Sequence, residues 1–220
     1  MTPLEKYLQR KNAEKNSFMV SYVSSLQNVA LVSPKTACSI VKELESQRTH
    51  LKLIASENFS SISVQSAFSN LLTDKYAEGY PYHRFYAGCD NIDDIEANAA
   101  ELACRLFSAE HAYVQPHSGA DANLCAYWAI LNHKIIMPEL EKLNVGDLKN
   151  ISESDWKHIR MACGNQKLLG LDYYSGGHLT HGYRYNVSAQ MFDSYSYSVD
   201  RDTGLLLYDE IQKKVQEIKP

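Results

Sequence analysis

These 220 residues contain no CxxC pair, no G-x-x-x-x-G-K-[ST] string and no G-x-G-x-x-G behind a candidate strand. The first absence disfavours a zinc knuckle or thiol redox pair; the others remove a P-loop and a dinucleotide fingerprint. Cysteine is sparse and odd in number. Cys38, Cys89, Cys104, Cys125 and Cys163 suit reduced thiols in a cytoplasmic protein better than a disulfide framework, and no metal site is expected. Positive charge is not in excess: the net charge is -4, which offers no basic face to nucleic acid. A long apolar run is also missing. The least polar stretch, "SFMVSYVSSLQNVALV" (17–32), is interrupted by Ser, Gln and Asn and lacks a small-residue cleavage site. Its Met19, Val23, Leu26 and Ala30 are spaced like one face of a helix, so neither a signal peptide nor a membrane span is expected.

What is abundant is tyrosine, 15 residues, in an otherwise ordinary globular composition. Several gather in "KYAEGYPYHRFYAG" (75–88), where Gly and Pro are expected to prevent any regular element. Before this loop the chain reads as helices. "SPKTACSIVKELESQRTHL" offers Ser33 as a cap and Pro34 at the first helical position. "KLIASENF" reads as an extended link, and "SSISVQSAFSNLL" as a helix presenting Val64, Phe68 and Leu71/Leu72. After the loop, "DNIDDIEANAAELACRLF" begins at an Asp90 cap and repeats Ile92, Ile95, Ala99, Leu102 and Leu106.

From residue 111 the pattern changes. "HAYVQP" reads as a strand, "HSGADAN" as a turn and "LCAYWAIL" as a helix buried on several sides. "KLLGLD" and "AQMFDSYSYSVD" are further strands, separated by the Gly-rich "YYSGGHLTHG", and "YDEIQKKVQEIKP" is a last helix. This order predicts an α/β fold with a parallel sheet. Residues 132–164 read as a charged helical insertion with a cap at Ser152 and a stop at Gly164. About three strands are fewer than a sheet usually holds, and the chain reads as cut short at Pro220.

Three places can carry chemistry. At "YVQPHSGADANL", Ser118, Gly119 and Ala120 bring backbone amides into the open ahead of a helix, which suits phosphate. A plain turn capped by Asp121 and Asn123 is the commoner outcome of such a sequence. In "GGHLTHG", His178 and His181 stand in a glycine-flanked loop that fixes metal geometry poorly. His178 lying flat against a planar ligand and a pair of ordinary loop histidines both remain open. In the tyrosine stretch, partial desolvation of Glu78 would suit it to moving protons, with Arg84 available for an anion. The same residues also suit a subunit contact.

Taken in order, "LKLIASENFSS", "LTDKYAEGYPYHRFYAG", "VQPHSGADANLCAYWAIL", "GGHLTHG" and "DRDTGLLLYDEI" resemble the serine hydroxymethyltransferase family across residues 51–220. The resemblance implies a truncated aspartate-aminotransferase-like, pyridoxal-phosphate-dependent transferase fold. Residues 1–75 would form a dimer-making helical arm. Residues 76–220 would form the first part of the cofactor-binding large domain, its first strands belonging to a mixed sheet. On this reading the rest of that domain and the C-terminal domain would lie outside these residues. The implied reaction interconverts serine and glycine, with tetrahydrofolate as co-substrate, in a cytoplasmic homodimer whose site is shared across the interface.

By matching position, the resemblance assigns His178 to stacking on the cofactor ring. It assigns Ser118, Gly119 and Ala120 to the phosphate turn, and Tyr76 to the phosphate of the neighbouring subunit's cofactor. Glu78 becomes the acid–base carboxylate near the substrate hydroxymethyl group and the folate, Tyr86 a proton-transfer group, and Ser56 a neighbour of the substrate carboxylate. Phe85, Tyr173, Gly177, His178 and Leu179 fall where substrate or folate binds. Phe85 stands for a usual tyrosine, Ala120 for a serine, Ala87 for a glycine and Tyr173 for a leucine. The Thr-rich His-Lys segment that holds the cofactor covalently, the aspartate for its ring nitrogen and the carboxylate-gripping arginine have no counterpart here. The chain alone is therefore expected to be inactive. Alternatives are a non-catalytic homologue that binds a full-length partner, and an aldolase of β-hydroxy amino acids on the same fold.

Overall fold

The computed structural model describes residues 1–10, 16–146 and 148–220, in two units, 1–98 and 99–220. The first unit opens with a short helix, α1 (Pro3–Leu8), held by a capping box between Thr2 and Glu5. The stretch read as amphipathic is α2 (Ser17–Val32), which starts where Asn16 Oδ1 accepts from the N–H groups of Phe18 and Met19. Helix α3 (Pro34–Thr49) begins at Ser33–Pro34 as expected, but the Ser33 hydroxyl meets Thr36 Oγ1 at 2.7 Å and caps no backbone N–H.

The next helix is shorter than its apolar pattern suggests. α4 spans only Ile62–Ala67, and Leu71–Asp74 form a separate 3-10 turn. Asn70 explains the break: its side chain donates to the Ala67 carbonyl and accepts from the Leu72 N–H, a local arrangement that competes with the helix. Phe68, expected on the buried stripe, is 78% exposed.

The tyrosine stretch is not irregular throughout. β1 (Gly79–Tyr80) and β2 (His83–Arg84) pair antiparallel in a tight hairpin. Gly79 has φ of 110°, and a Cβ there would collide with the His83 carbonyl, so the hairpin depends on glycine at this point. Helix α5 (Asp90–Phe107) follows. Its first intrahelical bond runs from the Asp93 N–H to the Cys89 carbonyl at 2.9 Å, so Cys89, not Asp90, occupies the cap position.

The second unit is α/β. Helix α6 (Gly119–Leu131) leads through a π turn at Asn132–Ile136 into α7 (Met137–Lys142). Pro138 has no N–H to offer the preceding turn and lies just after that widening. α8 (Glu153–Gly164) starts at Ser152, whose Oγ accepts from the Asp155 N–H. Strands β3 (Lys167–Leu171) and β4 (Asp193–Tyr197) pair in parallel, with Leu169 opposite Tyr195. A short helix, α9 (Val187–Met191), occupies part of the segment read as strand, and α10 (Tyr208–Ile218) closes the chain's secondary structure.

Two expectations fail here. Residues 111–116 carry no strand, because no neighbouring segment completes a ladder with them. Helix α6 buries only Leu131, while Trp128 and Ile130 are exposed. The buried cluster instead combines Leu131 with Ile136, Leu140, Ile159 and Cys163, so residues 132–164 supply most of this unit's core. All five cysteines are free. Among the described residues no helix is long and apolar enough to cross a membrane.

Candidate active site

Three predicted residues come together beside the hairpin of the first unit. The Tyr76 and Tyr86 rings meet edge to face at 5.3 Å, and the Tyr76 hydroxyl lies 3.5 Å from Glu78 Oε2. The Phe85 N–H donates to the Glu78 carbonyl at 3.1 Å, which folds the chain back so that Phe85 and Tyr86 return alongside. Glu78 and Phe85 are exposed, so the desolvation expected for Glu78 is not found in this chain.

Arg84, read as available for an anion, is engaged by carboxylates and carbonyls of the chain itself. Its Nε donates to Asp93 Oδ1 at 2.7 Å and one Nη to Glu96 Oε2 at 2.6 Å. The other Nη donates to the carbonyls of Ala77 and Gly79, at 2.8 and 2.7 Å, on either side of Glu78. The charge-assisted bond from Arg84 holds the Asp93 carboxyl below the usual aspartate range, and the Glu96 and Asp93 carboxylates push the guanidinium further up. Sequence reasoning missed this clamp. Its signal was the three-residue spacing of Asp93 and Glu96, which sets both carboxylates on one face of α5.

Ser56 lies on the 51–60 link, in an open groove lined also by Arg48, His50, Lys52 and Phe59. Lys52 reaches Glu43 at 3.0 Å and Glu57 at 3.6 Å there.

In the second unit Ser118 is the cap of α6. Its Oγ accepts from the Asp121 N–H at 3.0 Å and donates to Asp121 Oδ2 at 2.9 Å. The expected cap at Asn123 is not formed, since that side chain turns to Thr180 and His181 instead. A Cβ at Gly119 would meet nothing within 4 Å, so the helix start presents open backbone.

The glycine loop is built on Asp172. Its carboxylate accepts from the Ser175 hydroxyl and from the N–H groups of Tyr174 and Ser175, which together hold it below the usual aspartate range. Gly177 is needed because a Cβ there would collide with the Leu171 carbonyl, and Gly170 because one would collide with His181. The loop brings His178 and His181 to 5.6 Å between ring centroids. Tyr173 stacks toward Tyr183 at 5.2 Å. These four side chains, with Arg184, help line a cavity of about 590 Å³. Leu179 is exposed.

A family model described as "Serine hydroxymethyltransferase" matches residues 30–163 and 161–220. The chain belongs to the serine hydroxymethyltransferase family. A serine hydroxymethyltransferase of Treponema pallidum is 56% identical over 218 residues, covering 99% of this chain and 38% of the relative. One from Cutibacterium acnes is 48% identical over 200 residues, covering 91% of this chain and 41% of its own length. One from Chlamydia trachomatis is 46% identical over 220 residues, covering 99% and 44%. The chain thus spans about two fifths of the length of these relatives.

Proposed function

We propose that this chain is the N-terminal portion of a cytoplasmic serine hydroxymethyltransferase with the aspartate-aminotransferase-like fold. The complete enzyme interconverts serine and glycine and passes the one-carbon unit to tetrahydrofolate. The observation that carries the reading is the grouping of Tyr76, Glu78 and Tyr86 against a hairpin clamped by Arg84, within a chain matched by the family model. The first unit leaves Phe59, Phe68, Tyr76, Tyr80, Tyr82 and Phe85 exposed, which supports a homodimer that covers them and shares its site.

The residues present suit pyridoxal phosphate at two points. The open start of α6, with Ser118, Gly119 and Ala120, offers amides to a phosphate, although Asp121 in the same turn opposes it. The His178 ring is fixed at one edge and faces a cavity also lined by Tyr173. When bound, the cofactor supplies an electron sink for the carbanion left by Cα–Cβ cleavage. Glu78 exchanges a proton at the hydroxymethyl oxygen or the folate nitrogen, oriented from below by the Arg84 clamp, and Tyr86 serves as a second proton-transfer group. Gly177, His178, Leu179 and Tyr173 shape the folate side, Ser56 meets the substrate carboxylate, and Phe85 leaves the substrate without the hydroxyl contact that a tyrosine would make.

The test is glycine formation from serine and tetrahydrofolate by the complete polypeptide. Glu78→Gln is expected to lower turnover about 10²–10⁴-fold with serine binding retained. Unchanged turnover removes Glu78 from the mechanism, and folate-independent cleavage favours the aldolase reading. Residues 1–220 alone, given the cofactor and serine, are expected to form no glycine; turnover there overturns the inactivity of the fragment.

A further inference from the structure

Asn123 and Tyr127 stand one turn apart on α6, so they present side chains on the same face. Both reach Thr180, which is 1% exposed. The Tyr127 hydroxyl donates to the Thr180 carbonyl at 2.7 Å, and Asn123 Nδ2 donates to Thr180 Oγ1 at 2.5 Å. Thr180 in turn addresses His178 twice: its N–H donates to Nδ1 at 3.2 Å, and its Oγ1 lies 2.6 Å from the same nitrogen.

The donor count decides the proton positions. A backbone N–H only donates, so the His178 Nδ1 facing it presents a lone pair. An amide NH₂ also only donates, so Asn123 fills a lone pair of the Thr180 oxygen and leaves the hydroxyl proton free to point at Nδ1. The neutral imidazole then carries its hydrogen on Nε2. The same amide also approaches His181 Nε2 at 3.5 Å.

We propose that Thr180 is a positioning residue that holds His178 in its Nε2–H form and fixes the ring against α6. The purpose given to the held ring, to lie against a planar cofactor, rests on the reading above; the tautomer does not.

Long-range ¹H–¹⁵N correlation spectra of the histidine-labelled full chain, above the titration range of histidine, test it. His178 is assigned by the signal lost in His178→Asn. The expected wild-type pattern is a bare Nδ1 and a protonated Nε2; a protonated Nδ1 overturns the proposal. Thr180→Val keeps the shape and the backbone N–H but removes the hydroxyl, the shorter of the two contacts to Nδ1, and is expected to admit a minor Nδ1–H population that Thr180→Ser abolishes. A valine variant that folds and shows no Nδ1–H population overturns the part given to the Thr180 side chain. Should that variant not fold, the wild-type spectrum decides alone. A complete wild-type enzyme that fails to bind pyridoxal phosphate defeats the cofactor reading and leaves the tautomer result standing.

Discussion

Arg84 and Asp93 meet at 2.7 Å with side chains only 4% and 7% exposed, and this pair ties the Glu78 hairpin to the first turn of α5. The same guanidinium holds the carbonyls on both sides of Glu78 without touching the Glu78 carboxylate. Lysine supplies a point charge and no planar fork. Arg84→Lys is expected to lower Tm by several degrees and Arg84→Ala by on the order of 10 °C, read by calorimetry. Equal Tm values for all three proteins would show that the clamp does not stabilise the unit.

The acid limb of stability draws on depressed carboxyls, among them Asp93, which takes a bond from Arg84, and Asp172, which takes one from Ser175. A folded pKa below the unfolded one means that the native state binds fewer protons. Their stabilisation is therefore complete above the ordinary aspartate range and is lost as pH falls through the depressed values. Tm is expected to be level above about pH 5 and to drop below about pH 4, with a shallower drop in Asp93→Asn. An unchanged slope in that variant would exclude Asp93 as a source.

Gly177 and Gly119 make opposite predictions for the same substitution. Gly177→Ala drives a Cβ into the Leu171 carbonyl and is expected to cost about 1–3 kcal/mol in urea unfolding. Gly119→Ala meets open space at the start of α6 and is expected to stabilise by about 0.4–1 kcal/mol. A reversed order would contradict the loop geometry.

Ile159 is 0% exposed at the centre of the cluster that the 132–164 segment contributes. Ile159→Ala is expected to lose about 2–5 kcal/mol, measured by the same unfolding. A loss below 1 kcal/mol would mark the segment as a loosely attached excursion after all.

Local grammar in the chain determined much of this protein. The helical spacing of 17–32, the Ser–Pro start at 33–34 and the cap at Ser152 are each set by residues close in sequence. So was family membership, which rests on motif strings alone. Tertiary structure decided what depends on partners in other elements. Arg84 reads as an anion site until α5 brings Asp93 and Glu96 to it, Asn123 as a cap until Thr180 arrives 57 residues later, and 132–164 as a charged helical insertion until Ile159 packs with Leu131 and Ile136. A side chain's hydrogen-bonding capacity is written in its own residue type, but which group satisfies it is settled only by packing.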